Sequence, residues 1–301
     1  MLTFFNTMSY KDHINKIASQ ISPSILNLCA VRKKGNPPTQ AFSDFLTHNE
    51  QGDWAETLLF KALQKVELPF VPVRYGKADK IIAGDPNFKT FYNAYQNELS
   101  SIGERPDILL FNKKSYKKEW GDDISKFSRA KLLKIIPSAV AGFEVRSSAY
   151  LTKKFISKKE RPFLSFTPKV EDIIVVLKWI NIFNVSHFYV QVFFDAIYII
   201  SFEEILNLLR TAKIEEKGVK NKKITGFKKG KLAFVVEKNP KNQYKETIHI
   251  FLSNGHLLSK RLSEPKLIGS RKELSGGRLL HYVSFEGGEA KLNTAILKKL
   301  L

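Results

Sequence analysis

Residues 143–151 read FEVRSSAYL and follow an apolar run, Ala139-Val140-Ala141. Side chains alternate across a strand, so Phe143 and Val145 fall on one face while Glu144 and Arg146 share the other. The pattern predicts a buried strand over Ala139–Ser147 with two charges on it. Burying a carboxylate is costly unless a partner or a metal compensates it. The stretch is therefore either a structural ion pair on a sheet face or the floor of an active site.

The neighbouring segments supply a sheet for this strand. Upstream, RPDILLFNKK predicts a short strand, Ile108 to Phe111, entered through Pro106-Asp107. Downstream, Thr167 and Pro168 read as the N-cap and first residue of a helix, KVEDIIVVLKWINIF, with Glu171 and Asp172 near its positive end. Two strands, HFYVQVFF and AIYIIS, join at Asp195, and FEEILNLLR makes a further helix. Nearer the N-terminus, residues 9–30 show a helical pattern broken at Ser22-Pro23, and QGDWAETLLFKALQKV predicts a strong helix with a broad apolar arc. The region between that helix and Ile108, containing Pro69, Pro72 and Asp85-Pro86, reads as loop-rich. Helices between apolar strands indicate an α/β fold, a mixed sheet covered by helices. From Lys213 the pattern changes to short strand-like runs (LAFVVE, ETIHIFL, LHYVSF), a β-rich part that either extends the sheet or forms a second domain. The expected division is 1–210 for the N-terminal helices and core and 211–301 for this basic extension.

Composition narrows the function. The 301 residues are 43% hydrophobic and 12% aromatic, which suits a globular protein. The formal net charge is +20, and residues 211–301 alone hold 20 Lys and Arg against 8 Asp and Glu. Such an excess favours a polyanionic partner, with nucleic acid the foremost candidate and solvated lysine the bland explanation. The single Cys29 rules out an internal disulfide and a multi-cysteine zinc site. No apolar run approaches the roughly 20 residues of a spanning helix. MLTFFNTMSYKDH is too short in apolar length for a secretory signal. A cytoplasmic protein without a membrane partner is expected. GFKKGK lacks P-loop spacing, and the six histidines show neither H-E-x-x-H nor a close pair.

What remains is carboxylates at strand positions. If the strands holding Asp107 and Glu144 are neighbours, both side chains converge on one hard cation. Mg²⁺ takes oxygen ligands and keeps waters that serve phosphodiester hydrolysis. Pro106-Asp107 followed by Glu144-Val145-Arg146 resembles the PD…(D/E)xK signature of the restriction-endonuclease-like nucleases. The strand–strand–helix–strand–helix order agrees over roughly residues 50–210. FEVRSSAYL and FYVQVFFD are similar to type II enzymes of the AccI kind.

The resemblance implies a Mg²⁺-dependent type II restriction endonuclease. It would cut both strands of a short palindromic double-stranded DNA site as a homodimer, alongside a cognate methyltransferase. It implies Asp107 and Glu144 as metal ligands, Arg146 where the family has lysine, and Glu56 as the upstream helical glutamate. Arginine stays protonated, so Arg146 stabilises charge or orients water and cannot act as a base; a lysine from elsewhere, such as Lys153 or Lys154, is the alternative. The basic loop from Lys153 to Arg161 is a candidate for phosphate contact, and Arg261, Arg271 and Arg278 for base readout. Two other readings stay open: a repair or structure-specific nuclease of the same fold, and a non-catalytic nucleic-acid-binding protein whose carboxylates are structural.

Overall fold

The computed structural model describes residues 8–28, 34–76, 81–155, 164–217, 221–237 and 245–301. The larger part of the loop from Lys153 to Arg161 lies outside the described residues. A six-stranded mixed sheet forms the centre. In spatial order its strands are β1 (Phe70–Arg74), β2 (Ile108–Asn112), β3 (Ala139–Ser147), β5 (Ser186–Val192), β6 (Ile197–Ser201) and β11 (His256–Ser259). Every pairing is antiparallel except β3 with β5, whose crossover contains α5 (Val170–Phe183), as a parallel pair requires.

Helices cover both faces, as the apolar strands require. On one face α2 (Ser43–Gln64) buries Trp54, Leu58, Leu59 and Leu63 against Ile108 and Leu110 of β2 and Phe143 and Val145 of β3; α7 (Thr294–Leu300) adds Leu297. On the other face α1 (Tyr10–Ala18), α5 and α6 (Phe202–Arg210) meet Leu109, Phe111 and Tyr189. The alternation along β2 and β3 thus sorts residues between two cores, and Glu144 and Arg146 fall opposite the α2 face.

Some local expectations change. The segment expected to be loop-rich contains β1 and α3 (Phe88–Ile102). Pro72 obscured β1, but β1 is an edge strand, where a missing N–H costs no ladder bond. The helical pattern over 9–30, expected to break at Ser22-Pro23, gives a helix that already ends at Ala18. The N-cap of α5 is Lys169, whose N–H donates to Asp172 Oδ2 at 3.0 Å, while the carbonyl of Pro168 accepts from Ile248 N at 2.9 Å. The Thr167-Pro168 start is therefore displaced: a strand from the C-terminal part holds those residues extended. A short helix, α4 (Arg129–Ile135), precedes β3.

Residues after 211 serve several parts of the fold. β7 (Ala212–Lys217), β8 (Asn221–Lys228), β9 (Lys231–Glu237) and β10 (Thr247–Phe251) join β4 (Ser165–Phe166) in a second, antiparallel sheet. Its Ile224, Phe234, Val236 and Ile250 enter the core of the α5 face. β12 (Arg261–Leu262) pairs with β15 (Ala290–Lys291). β13 (Lys266–Glu273) and β14 (Leu279–Glu286) form an eight-residue ribbon without a bulge. The ribbon lies on α2, where Val283 N donates to Thr47 Oγ1 at 3.2 Å. At the base of the ribbon Trp54 Nε1 donates to Gly287 O at 2.9 Å.

Candidate active site

A cleft of about 630 Å³ opens where α2, the ends of β2 and β3, and the β13–β14 ribbon come together. Its walls include Glu56, Glu104, Asp107, Glu144, Arg146, Lys272 and Tyr282, so the structure brings together all four residues singled out as the catalytic set.

Asp107 is fixed by its surroundings. Its carbonyl accepts from Tyr75 N at 2.8 Å and Gly76 N at 3.1 Å, and its Oδ2 accepts from Val145 N at 2.7 Å. Two glycines allow this close approach. A Cβ on Gly76 would stand 2.8 Å from Asp107 Oδ1, and one on Gly142 would stand 2.6 Å from Pro106 Cγ. The β2–β3 register pairs Ile108 with Phe143, which sets Asp107 across from Glu144.

Glu144 is 4% exposed, and its Oε1 lies 3.1 Å from Arg146 Nη2. Its Oε2 is buried without a hydrogen-bond partner. The same Arg146 Nη2 is 3.4 Å from Asp172 Oδ2 and 3.9 Å from Glu104 Oε1. The guanidinium thus meets three carboxylates, from β3, α5 and the loop before β2, and their charges push its pKa up against the opposing effect of burial.

The carboxylates show the opposite imbalance. Burial raises Asp107, Glu104 and Glu144 well above the usual carboxylate range, and their mutual repulsion adds to it. Glu56, near Asp53 and Glu144, is pushed up to about 7, chiefly by burial. Negative charge is in excess here. Among the described residues no group of three or more His, Cys, Asp or Glu side chains is arranged to hold a metal ion; what the cleft offers is the Asp107–Glu144 pair.

The basic residues singled out from the sequence lie elsewhere. Lys153 and Lys154 are exposed in a short turn that Asp195 anchors by accepting from Thr152 N at 2.7 Å and Lys153 N at 3.0 Å. Arg261 and Arg271 are exposed on β12 and β13. Arg278 donates to Gln40 Oε1 at 2.6 Å and lies over the Phe42 ring at 5.4 Å. None of these five lines the cleft. Three residues that do surround Arg146 or the cleft went unnoticed in the sequence. Glu104 stands close to Asp107 in GERPD, Asp172 read only as a dipole residue of α5, and Lys272 carries no local signal.

The model of the AccI restriction endonuclease family matches residues 8–159 and 154–301. The chain belongs to the AccI restriction endonuclease family. The match runs beyond the 50–210 core that the motif suggested, so the second sheet and the ribbon are part of the family's pattern. Membership carries the activity class: a type II restriction endonuclease, a site-specific deoxyribonuclease whose substrate is DNA. The mixed sheet flanked by helices is compatible with the restriction-endonuclease-like fold. No curated protein and no solved structure matches the chain. No helix among the described residues is long and apolar enough to cross a membrane.

Proposed function

We propose that the enzyme hydrolyses both strands of a short palindromic DNA site in a Mg²⁺-dependent reaction, with Asp107 and Glu144 as the metal ligands. The observation that carries this reading is the pairing of these two carboxylates across β2 and β3, with Glu144 Oε2 left unpartnered in a buried place. An unpaired carboxylate oxygen there is costly in the protein alone and suits a hard, oxygen-seeking cation. When bound, Mg²⁺ supplies charge neutralisation at the phosphate and a more acidic water.

The chain's own groups do the rest. Val145 N holds Asp107 through Oδ2, and Arg146 holds Glu144 through Oε1, so both carboxylates keep one orientation. Glu56, with a pKa of about 7, exchanges a proton at neutral pH at its carboxylate and serves the attacking water. Water adds to phosphorus and loses a proton, one P–O ester bond breaks, and the leaving oxygen takes up a proton. Exposed Arg261, Arg271 and Arg278, with Lys153 and Lys154, hold phosphates or read bases from outside the cleft. Cutting both strands of a palindrome calls for a homodimer, and host DNA calls for a matching methyltransferase.

The test is plasmid cleavage in Mg²⁺ and in EDTA by the parent, Asp107→Ala and Glu144→Ala. Discrete fragments from the parent in Mg²⁺ alone, with either variant slower by about 10³-fold or more, are expected. Variants cutting at the parental rate, or plasmid intact at every enzyme concentration, would refute the assignment. A single nick or a smear would favour a structure-specific nuclease.

A further inference from the structure

The position where the motif has lysine is occupied by a cation whose Nη2 is already shared among three carboxylates. Arg146 Nη2 stands within 3.1–3.9 Å of Glu144, Asp172 and Glu104. Turning this guanidinium toward a phosphate would strand the buried Glu144, whose side chain is 5% exposed, which is unfavourable. Arg146 is thus committed to orienting Glu144, and a cation for the phosphate must come from another element.

Among the described residues one lysine lines the cleft, Lys272 on β13. Its side chain is 31% exposed, and its Nζ pairs with Asp85 Oδ2 at 2.8 Å. Asp85 Oδ2 also accepts from Ile82 N at 3.1 Å, so the carboxylate keeps a partner if the lysine leaves. A single part-exposed pair of this kind is weak and exchangeable, whereas Arg146 is shared among three carboxylates, of which the Glu144 side chain is only 5% exposed. The element behind it is rigid: the ribbon is paired over eight residues, tied to α2 through Thr47, and packed at its tip through Leu274 and Leu280 against Leu46 and Ile82. Tyr282, on the same face of the ribbon, lines the cleft beside Lys272.

We propose that Lys272 supplies the phosphate-facing ammonium of the active site, delivered across the cleft by the β13–β14 ribbon while Arg146 serves as a positioning residue for Glu144. On DNA binding the ammonium exchanges Asp85 for a non-bridging phosphate oxygen and stabilises the charge that grows there as water attacks; no proton is transferred by it. The proposal rests on the nuclease reading above.

The test compares Lys272→Met, and Lys272→Cys in a Cys29→Ser background, with their parents in single-turnover cleavage in Mg²⁺ and in DNA binding in Ca²⁺. Lys272→Met is expected to slow cleavage about 100-fold. Its DNA dissociation constant should stay within about threefold, since ground-state and transition-state effects separate in this comparison. Alkylating Lys272→Cys with 2-bromoethylamine rebuilds a lysine-like side chain and should restore most of the lost rate, which a merely structural residue would not show. Cleavage by Lys272→Met at the parental rate overturns the proposal. So does a parallel loss of binding and cleavage, or an alkylated protein, verified by mass, that stays slow. If the parent itself shows no Asp107-dependent cleavage, the nuclease reading fails and this proposal falls with it; a normal parent with an unaffected Lys272→Met removes this proposal alone.

Discussion

On one face of β3, Phe143 and Val145 meet α2 and the aromatic and aliphatic side chains of β5, and every surface is matched by an apolar partner. On the other face, Glu144 is equally withdrawn from water and Arg146 is part-exposed, yet more carboxylates than cations surround them and Glu144 Oε2 has no partner. The backbone, the register and the neighbouring strands are the same for both. One face is complete in the protein alone, and the other is complete only with a counter-charge. Stability and chemistry are thus divided between the two sides of nine residues.

The apolar face gives the largest expected effect on stability. Phe143 is fully buried, with its ring edge-on to Phe188 at 5.6 Å between centroids. Phe143→Ala should destabilise the protein by about 3–5 kcal/mol in urea unfolding at constant m. A loss below about 1 kcal/mol would mean that this face collapses around the gap and is not the close-packed support described.

The sheet face of Glu144 also buries His187 on β5, among Trp179, Tyr189 and Phe202, with neither ring nitrogen hydrogen-bonded. Burial, with a smaller contribution from Arg146, lowers its pKa to about 3. The sign follows from proton binding. The unfolded chain takes up a proton near pH 6.5 and the folded one only near 3, so stability falls as pH drops through that window. By pH 5 the loss is about 2 kcal/mol. His187→Phe should remove it, so the parent-minus-variant difference in unfolding free energy should change between pH 7 and pH 5. A pH-independent difference would show that His187 takes up its proton as readily in the folded protein as in the unfolded chain.

Much of this arrangement was readable in the amino-acid order. The alternation in FEVRSS placed both faces of β3 correctly, because a period of two needs no tertiary knowledge. The β6–α6 passage was equally plain, since Ser201 caps Glu204 N and the helix is strongly two-sided. β1 and α3 were hidden: Pro72 speaks against a strand unless its edge position is known, and α3 opens on Asn87 in a left-handed conformation with no capping side chain. For the site, Asp107 and Glu144 stood out as carboxylates at strand positions and Glu56 through the resemblance to the nuclease pattern; all three line the cleft. Glu104, Asp172 and Lys272 reach Arg146 or the cleft through tertiary packing, which no local pattern encodes. That arginine stands at 146, where the resemblance implies lysine, was visible; the three carboxylates that converge on its guanidinium were not.

The smallest effect tests the division between the faces most directly, because its sign is reversed. Glu144→Gln keeps the size and an acceptor for Arg146, which retains Asp172 and Glu104, and removes one negative charge from a site with too many. A carboxyl whose folded-state pKa is raised costs stability as pH climbs from the unfolded chain's pKa toward the folded one, because the unfolded chain ionises first and without penalty. In EDTA at pH 8 the variant should therefore be more stable than the parent by about 1 kcal/mol. The advantage should shrink as pH falls toward the unfolded chain's carboxyl range, because the raised group takes up its proton first in the folded protein. Adding Mg²⁺ should raise the parent's melting temperature and leave the variant's nearly unchanged, since only the parent offers both of the proposed ligands. A Glu144→Gln protein less stable than the parent at pH 8 would make the Glu144–Arg146 contact a structural ion pair, and the two faces of β3 would then do the same work.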